Sequence, residues 1–220
     1  MSRRFTPLIR LARLFLSIAP LLLLTPSALA GEEPGVLLVA APGHGGPDFS
    51  ETVLLLKRHA RGGTLGVILN RPTAIRVDEL FPGVKPPTGL AAQVYAGGPA
   101  EPEQVVFLVR TRSHAPRNAL PVFDNVFLAH DRQLLSDILR HPVPLMGMRV
   151  FRGHARWEHG ELETAIAQGE WYLVEADADA LFEDDPGSLW QRLVARVEKQ
   201  GVSVPGQGRG GTAVPAAARW

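Results

Sequence analysis

TVLLLKRHARGGTLGVILNRP, residues 52–72, holds two apolar runs on either side of Arg61-Gly62-Gly63. The first run, Thr52-Val-Leu-Leu-Leu56, suits two structures. Asp48 followed by Glu51 has the spacing of a capping box and would open a short helix through it. The branched residues at its start and the glycine turn behind it favour a hairpin instead, residues 53–57 against 65–69. The choice sets whether this part of the chain enters a sheet.

Moving outward, VLLVAAP (36–42) has the continuous apolar character of a buried strand ending in a loop. Arg71-Pro72 stops the second hairpin strand, and IRVDELFPG (75–83) reads as a short helix closed by a Pro-Gly pair. Residues 85–89 form a Pro/Gly-rich loop. Strands are expected at 94–99, running into Gly97-Gly98, at 105–111 and, as one element, at 122–130. Leu134, Leu135, Ile138 and Leu139 have helical spacing and predict an amphipathic helix over 131–141. Residues 148–157 are expected to be extended, 160–168 helical and 171–176 a strand. A last helix spans 186–197, with Pro186 at its start and Gly201 beyond its end. The small-residue tail, 201–220, has the composition of a disordered segment. The pattern describes one mixed α/β domain over 31–200.

The first thirty residues have a separate logic. Arg3, Arg4, Arg10 and Arg13 precede the apolar run 14–24, and the segment closes on Ala28-Leu29-Ala30. A basic start, a short apolar stretch and a small-residue exit mark a secretory signal peptide, 1–30. The apolar run is short for a stable span of about 20 residues. Cleavage after Ala30 would give a periplasmic or secreted protein with no stable membrane span; the alternatives are a cytoplasmic chain or an N-terminal anchor. Removal of those arginines changes the balance from 23 basic against 22 acidic residues to 19 against 22. The remaining basic residues form no stripe for phosphates, so a nucleic-acid partner is disfavoured. The chain has no cysteine, which excludes disulfides, a thiol nucleophile and thiolate metal sites.

The succession LLVAAPGHGGPDFSETV, GTLGVILNRP, VYAGGPAEPEQVVFLVRT, GHARWEHGELETAI and WYLVEADADALF resembles the YqgE/AlgH family. The resemblance covers about residues 35–197 and favours the strand over the helix at 53–57. It implies an α/β fold of the mixed α+β kind: a mixed, partly barrel-like β-sheet flanked by helices, with no established enzymatic activity or cofactor. Phe49, Val53, Gly66, Asn70, Pro72, Gly97, Gly98, Pro99, Gly153 and Trp157 match the family pattern. Thr52, His154, Arg156, Glu161 and Ala165 depart from it, His154 standing where an aromatic residue is usual. The family's association with alginate production makes a transcriptional regulator of the AlgH type one alternative function.

The residues themselves do not assemble a recognisable catalytic set. His44-Gly45-Gly46 has the glycine content of an oxyanion loop, but no G-x-S-x-G accompanies it. The seven histidines include no H-E-x-x-H pair, so no metal ligands are assigned. Glu158, Glu161 and Glu163 suit a solvated helix start, and Trp157, Trp171 and Trp190 suit a core. The expected function is therefore a non-catalytic envelope protein that binds a small molecule or a protein partner. Its ligand-binding candidates are His44, Gly45, Gly46, Asp48, Asn70, Gly97 and Gly98. If the two glycine loops meet, their N–H groups would receive an anionic group. The rival is an uncharacterised enzyme using His44, Asp48 or Asn70 in a shared cleft.

Overall fold

The computed structural model describes residues 35–58, 64–84, 92–112, 115–123, 125–140, 144–158, 160–182 and 184–200. The leader at 1–30, the loop at 85–89, His59, His114, His141, His159 and the tail at 201–220 lie outside the described residues. In chain order the elements begin with β1 (Val36–Ala40), α1 (Gly46–Phe49), β2 (Val53–Arg58), β3 (Thr64–Ile68), β4 (Pro72–Arg76) and α2 (Val77–Leu80). The middle of the chain forms β5 (Gln93–Ala96), β6 (Ala100–Thr111), β7 (Leu120–Phe123), β8 (Val126–Ala129), α3 (Arg132–Arg140) and β9 (Leu145–His154). Next come α4 (Glu161–Ala167), β10 (Trp171–Glu175) and α5 (Ala178–Leu181); a 3-10 turn, Pro186–Ser188, leads into α6 (Leu189–Lys199).

The strands form a four-stranded antiparallel sheet, β10-β1-β2-β3, and a six-stranded sheet, β4-β5-β9-β6-β8-β7. The second sheet is mixed, because β5 and β9 run parallel while its other pairs are antiparallel. Side chains alternate between the two faces of a strand. Leu37 and Val39 of β1 and Val53 and Leu55 of β2 therefore enter one core with Val106, Leu108, Leu128 and Phe151 of the other sheet. Leu38, Leu54, Leu56 and Ile68 face the opposite way, into a second core with Leu162 and Ile166 of α4 and with Trp171. The outer face of the six-stranded sheet is covered by Val77 and Phe81 around α2 and by Leu135, Ile138 and Leu139 of α3. Each of these fully buried aliphatic side chains contributes roughly 1.5–3 kcal/mol relative to exposure. Burial on both faces explains why β1 and β2 read as continuous apolar runs rather than alternating ones.

The partly barrel-like sheet is not what forms. Among the described residues neither sheet closes: β10 and β3 are the edges of one, β4 and β7 the edges of the other. A barrel requires its edge strands to pair in a continuous ladder. Here the backbone bonds between the sheets are local: Gly66 and Ala155 in both directions, Ile68 N–H to Gly97 C=O and Gly35 N–H to Val122 C=O; Arg149 of β9 adds a side-chain bond, Nη1 donating to Leu69 C=O at 2.9 Å. Each sheet instead satisfies its two faces separately, one against the other sheet and one against helices.

The hairpin of β2 and β3 forms, with Leu54 opposite Ile68 and Lys57 opposite Leu65. The capping box at Asp48 and Glu51 does not. Gly45 in the left-handed region starts the single turn of α1, and Glu51 itself has φ 54°. The element expected at 122–130 is a hairpin, with Phe123 opposite Val126. The second hairpin strand does stop before Arg71-Pro72, with β3 ending at Ile68; Pro72 itself opens β4, an edge strand of the other sheet, where its missing N–H costs no ladder bond. The helix expected over 75–83 is confined to α2, whose start is closed by Arg76 N–H donating to Glu79 Oε1 at 3.1 Å. Strand β6 begins five residues earlier than the apolar run at 105 suggests, across an irregular register between Ala100 and Val105.

Candidate functional site

Strand β1 ends opposite β10, with Ala40 paired to Trp171. That register sets the loop leaving β1 beside the turn entering β10. Ala41 N–H donates to Glu170 C=O at 2.9 Å, and the loop then turns back through His44 N–H to Ala41 C=O at 3.0 Å. Trp190 of α6 anchors the end of β1, its Nε1–H donating to Ala40 C=O at 2.8 Å. Gly43, Gly45 and Gly46 all have positive φ. Gly45 has a second requirement, since a Cβ there would lie 2.6 Å from the Phe49 backbone.

The loop delivers Phe49 to an aromatic group. Its ring stacks on Trp157 with centroids 5.8 Å apart and planes 24° apart, and meets Trp171 edge-on at 5.8 Å. Trp157 and Trp171 are perpendicular at 6.4 Å. Trp157 lies over Gly66 of β3, where a Cβ would approach its ring at 3.0 Å. Trp171 is buried, while Phe49 and Trp157 remain partly accessible.

These rings form part of the lining of a cleft of about 920 Å³, with the loop on one side and α4 on the other. His44, Gly45 and Gly46 line it, together with Glu161, Thr164, Gln168 and Glu170. Glu161 closes the start of α4 by accepting from Glu158 N–H at 2.8 Å, and Thr164 Oγ1 donates to Gly160 C=O at 2.6 Å. The volume suits a small organic ligand.

The other expected site residues have different surroundings. Asp48 is exposed and is not among the lining residues; its carbonyl accepts from Arg71 Nη1. Asn70 bridges two backbone groups, accepting from Val53 N–H and donating to Glu51 C=O, each at 2.9 Å. Gly97 and Gly98 pass so close to β9 that a Cβ on either would lie 2.3 Å from backbone atoms of Gly153 or His154. That close passage supplies a structural reason for the glycine pair. Thus only the first glycine loop reaches the cleft, and His44, Asp48 and Asn70 do not share it. Phe49, Trp157, Trp171, Glu161, Thr164, Gln168 and Glu170 were not expected there. No local sequence signal marks them; the pairing of β1 with β10, which joins segments more than 100 residues apart, brings them to the cleft.

His154 is a buried titratable group outside the cleft lining. It is 5% exposed, and its Nδ1 has no hydrogen-bond partner. Burial lowers its pKa from the ordinary value, opposed by Glu101 and reinforced by Arg156 and His130. Among the described residues, no group of three or more His, Asp or Glu side chains is placed to hold a metal ion. None of their helices is long and apolar enough to cross a membrane.

The AlgH-like family model, DUF179, matches residues 37–201. A UPF0301 protein of Chlorobaculum tepidum is 31% identical over 163 residues, covering 74% of this chain and 85% of that protein. One from Myxococcus xanthus is 34% identical over 163 residues, covering 71% and 86% of the respective chains. A crystal structure from Corynebacterium diphtheriae aligns with TM-score 0.62 at 26% identity, covering 80% of this chain and 91% of that one. The solution structure of the AlgH protein from Pseudomonas aeruginosa aligns with TM-score 0.58 at 26% identity, covering 80% and 93%.

Proposed function

Because the chain belongs to the AlgH-like family, whose molecular activity is uncharacterised, we propose a function from its cleft: non-catalytic binding of a small organic ligand. The observation that carries this reading is the aromatic group of Phe49, Trp157 and Trp171 at a cleft of about 920 Å³. The partly accessible rings of Phe49 and Trp157 give a ligand contact area backed by the buried Trp171, and His44, Thr164 and Gln168 supply polar groups to orient it. Ser50 is not among the lining residues, so the cleft does not combine a serine hydroxyl with the imidazole of His44.

A titration with a metabolite panel tests this reading through the indole N–H resonances of the protein. Ligands are expected to shift Trp157 and Trp171. Binders that shift only residues around Gly97 and Gly98, or a panel with no binder, would remove it.

The basic leader and its Ala28-Leu29-Ala30 exit support an envelope location for this binding protein. Mass spectrometry of the native N-terminus is expected to show cleavage between Ala30 and Gly31, with the protein in the periplasmic fraction. A cytoplasmic chain retaining Met1 would overturn that location and favour the regulatory alternative.

A further inference from the structure

We infer that the cleft selects an organic cation, a ligand bearing a primary or quaternary ammonium group; this rests on the cleft being the ligand site. Its lining includes the acidic residues Glu161, whose Oε2 accepts from Glu158 N–H, and Glu170, and, among the described lining residues, no lysine or arginine. Neither carboxylate is ion-paired among the described residues. Arg71, which is tied to the same loop, is not in the lining and donates instead to the carbonyls of Asp48 and Ser50.

The aromatic group has the same electrostatic preference. The faces of indole and phenyl rings are electron-rich and attract a cation held over them. Phe49 and Trp157 cover one face of each other by stacking, and what stays partly accessible of each ring lines the cleft. The carboxylates add a Coulombic attraction of the same sign. An anion at the glycine loop would gain backbone N–H contacts but would face two carboxylates without a compensating lysine or arginine in the described lining. The negative lining therefore discriminates by repulsion as well as attraction. A quaternary ammonium combines the required positive charge with an apolar surface that the rings can cover.

The test uses the full chain and three probes: choline, its neutral carbon isostere dimethylbutanol, and acetate. Binding is followed by calorimetry and by the Trp157 indole resonance. Choline is expected to bind about tenfold more tightly than dimethylbutanol, and acetate more weakly than either. Glu161→Gln and Glu170→Gln are each expected to weaken choline binding several-fold and to change binding of the isostere by much less, so that the ratio between the two falls. Glu170→Gln keeps the backbone carbonyl that accepts from Ala41, and an unchanged thermal transition verifies folding in both variants. Equal or tighter binding of the isostere or of acetate would overturn the cation inference and leave the cleft as a ligand site. Absence of choline binding would also overturn it, and the wider metabolite panel then decides whether the cleft binds any ligand.

Discussion

Glycine has different work to do at neighbouring positions of the cleft loop. Gly46 has φ 54°, but a Cβ on it would meet nothing within 4 Å. Gly46→Ala is expected to cost about 1–2 kcal/mol, the left-handed penalty alone, in chemical denaturation. Gly45 has φ 88° and also sits against the Phe49 backbone. Gly45→Ala is expected to cost more than Gly46→Ala and, unlike it, to disturb the Phe49 and Trp157 resonances. His154 gives a prediction with a pH axis. Its folded pKa lies below the ordinary 6.5, so the unfolded chain takes up a proton before the folded one. The stability its neutral ring supports is fully present above about pH 6.5 and is lost as pH falls through the folded value. His154→Phe is expected to flatten that acid-side decline in denaturation curves measured from about pH 7 to about pH 5. It also removes the unpartnered Nδ1. The sequence displayed His44, Gly45 and Gly46 as a loop, but could not distinguish an exposed cleft residue from the backbone clamp at Asn70. That distinction depends on Asn70 meeting Val53 N–H and Glu51 C=O across the turn. Asn70→Ala is expected to cost about 1–3 kcal/mol, because it leaves the buried Val53 N–H without its acceptor.

Elements were legible where turn chemistry and apolar period agreed. The glycine pair between the apolar runs at 53–57 and 65–69 signals the β2–β3 hairpin, and the three-and-four spacing of Leu134, Leu135, Ile138 and Leu139 signals α3. They were obscured where a turn interrupts a continuously apolar segment. Asp124-Asn125 carries the composition of a turn, yet the apolar residues on both sides conceal that β7 and β8 are separate. Pro72 was ambiguous for another reason: a proline can stop a strand or open an edge strand, and only sheet order decides. The candidate site has the same dependence on long-range order. Its glycine loop precedes α1, whereas its opposite wall belongs to α4 and the turn before β10. No local period reveals that these surfaces meet. Strand β3 supports them through Gly66, because both Leu56 and Trp157 approach within 3.0 Å of a Cβ built there. Gly66→Val is expected to displace the Trp157 ring and weaken binding in the cleft. Indole fluorescence and ligand titration should change together; a full loss of folding would appear separately in circular dichroism.

At the scale of the molecule, the two open sheets share one core while each keeps its other face for helices. The resemblance located the mixed fold but not this division into sheets. Closure is a property of edge pairing, and the identity of an edge strand depends on partners distant in sequence. The central strands β1 and β2 are paired on both sides and buried on both faces. Their amides are expected to exchange hydrogen more slowly than those of the edge strand β4, as native-state exchange can measure. The β1–β10 pair also imposes an order in time. Its partners are separated by 131 positions at Ala40–Trp171 and by 139 at Val36–Glu175. During synthesis, β1 must wait for Trp171–Glu175 before their ladder can close. Long-range pairing of this kind slows folding because loop closure precedes the stabilising contacts. If the chain is exported as proposed, this one ladder is still open while the residues ahead of Trp171 pass through a translocation channel. The same register that assembles the cleft thus postpones its assembly until Trp171–Glu175 has been made.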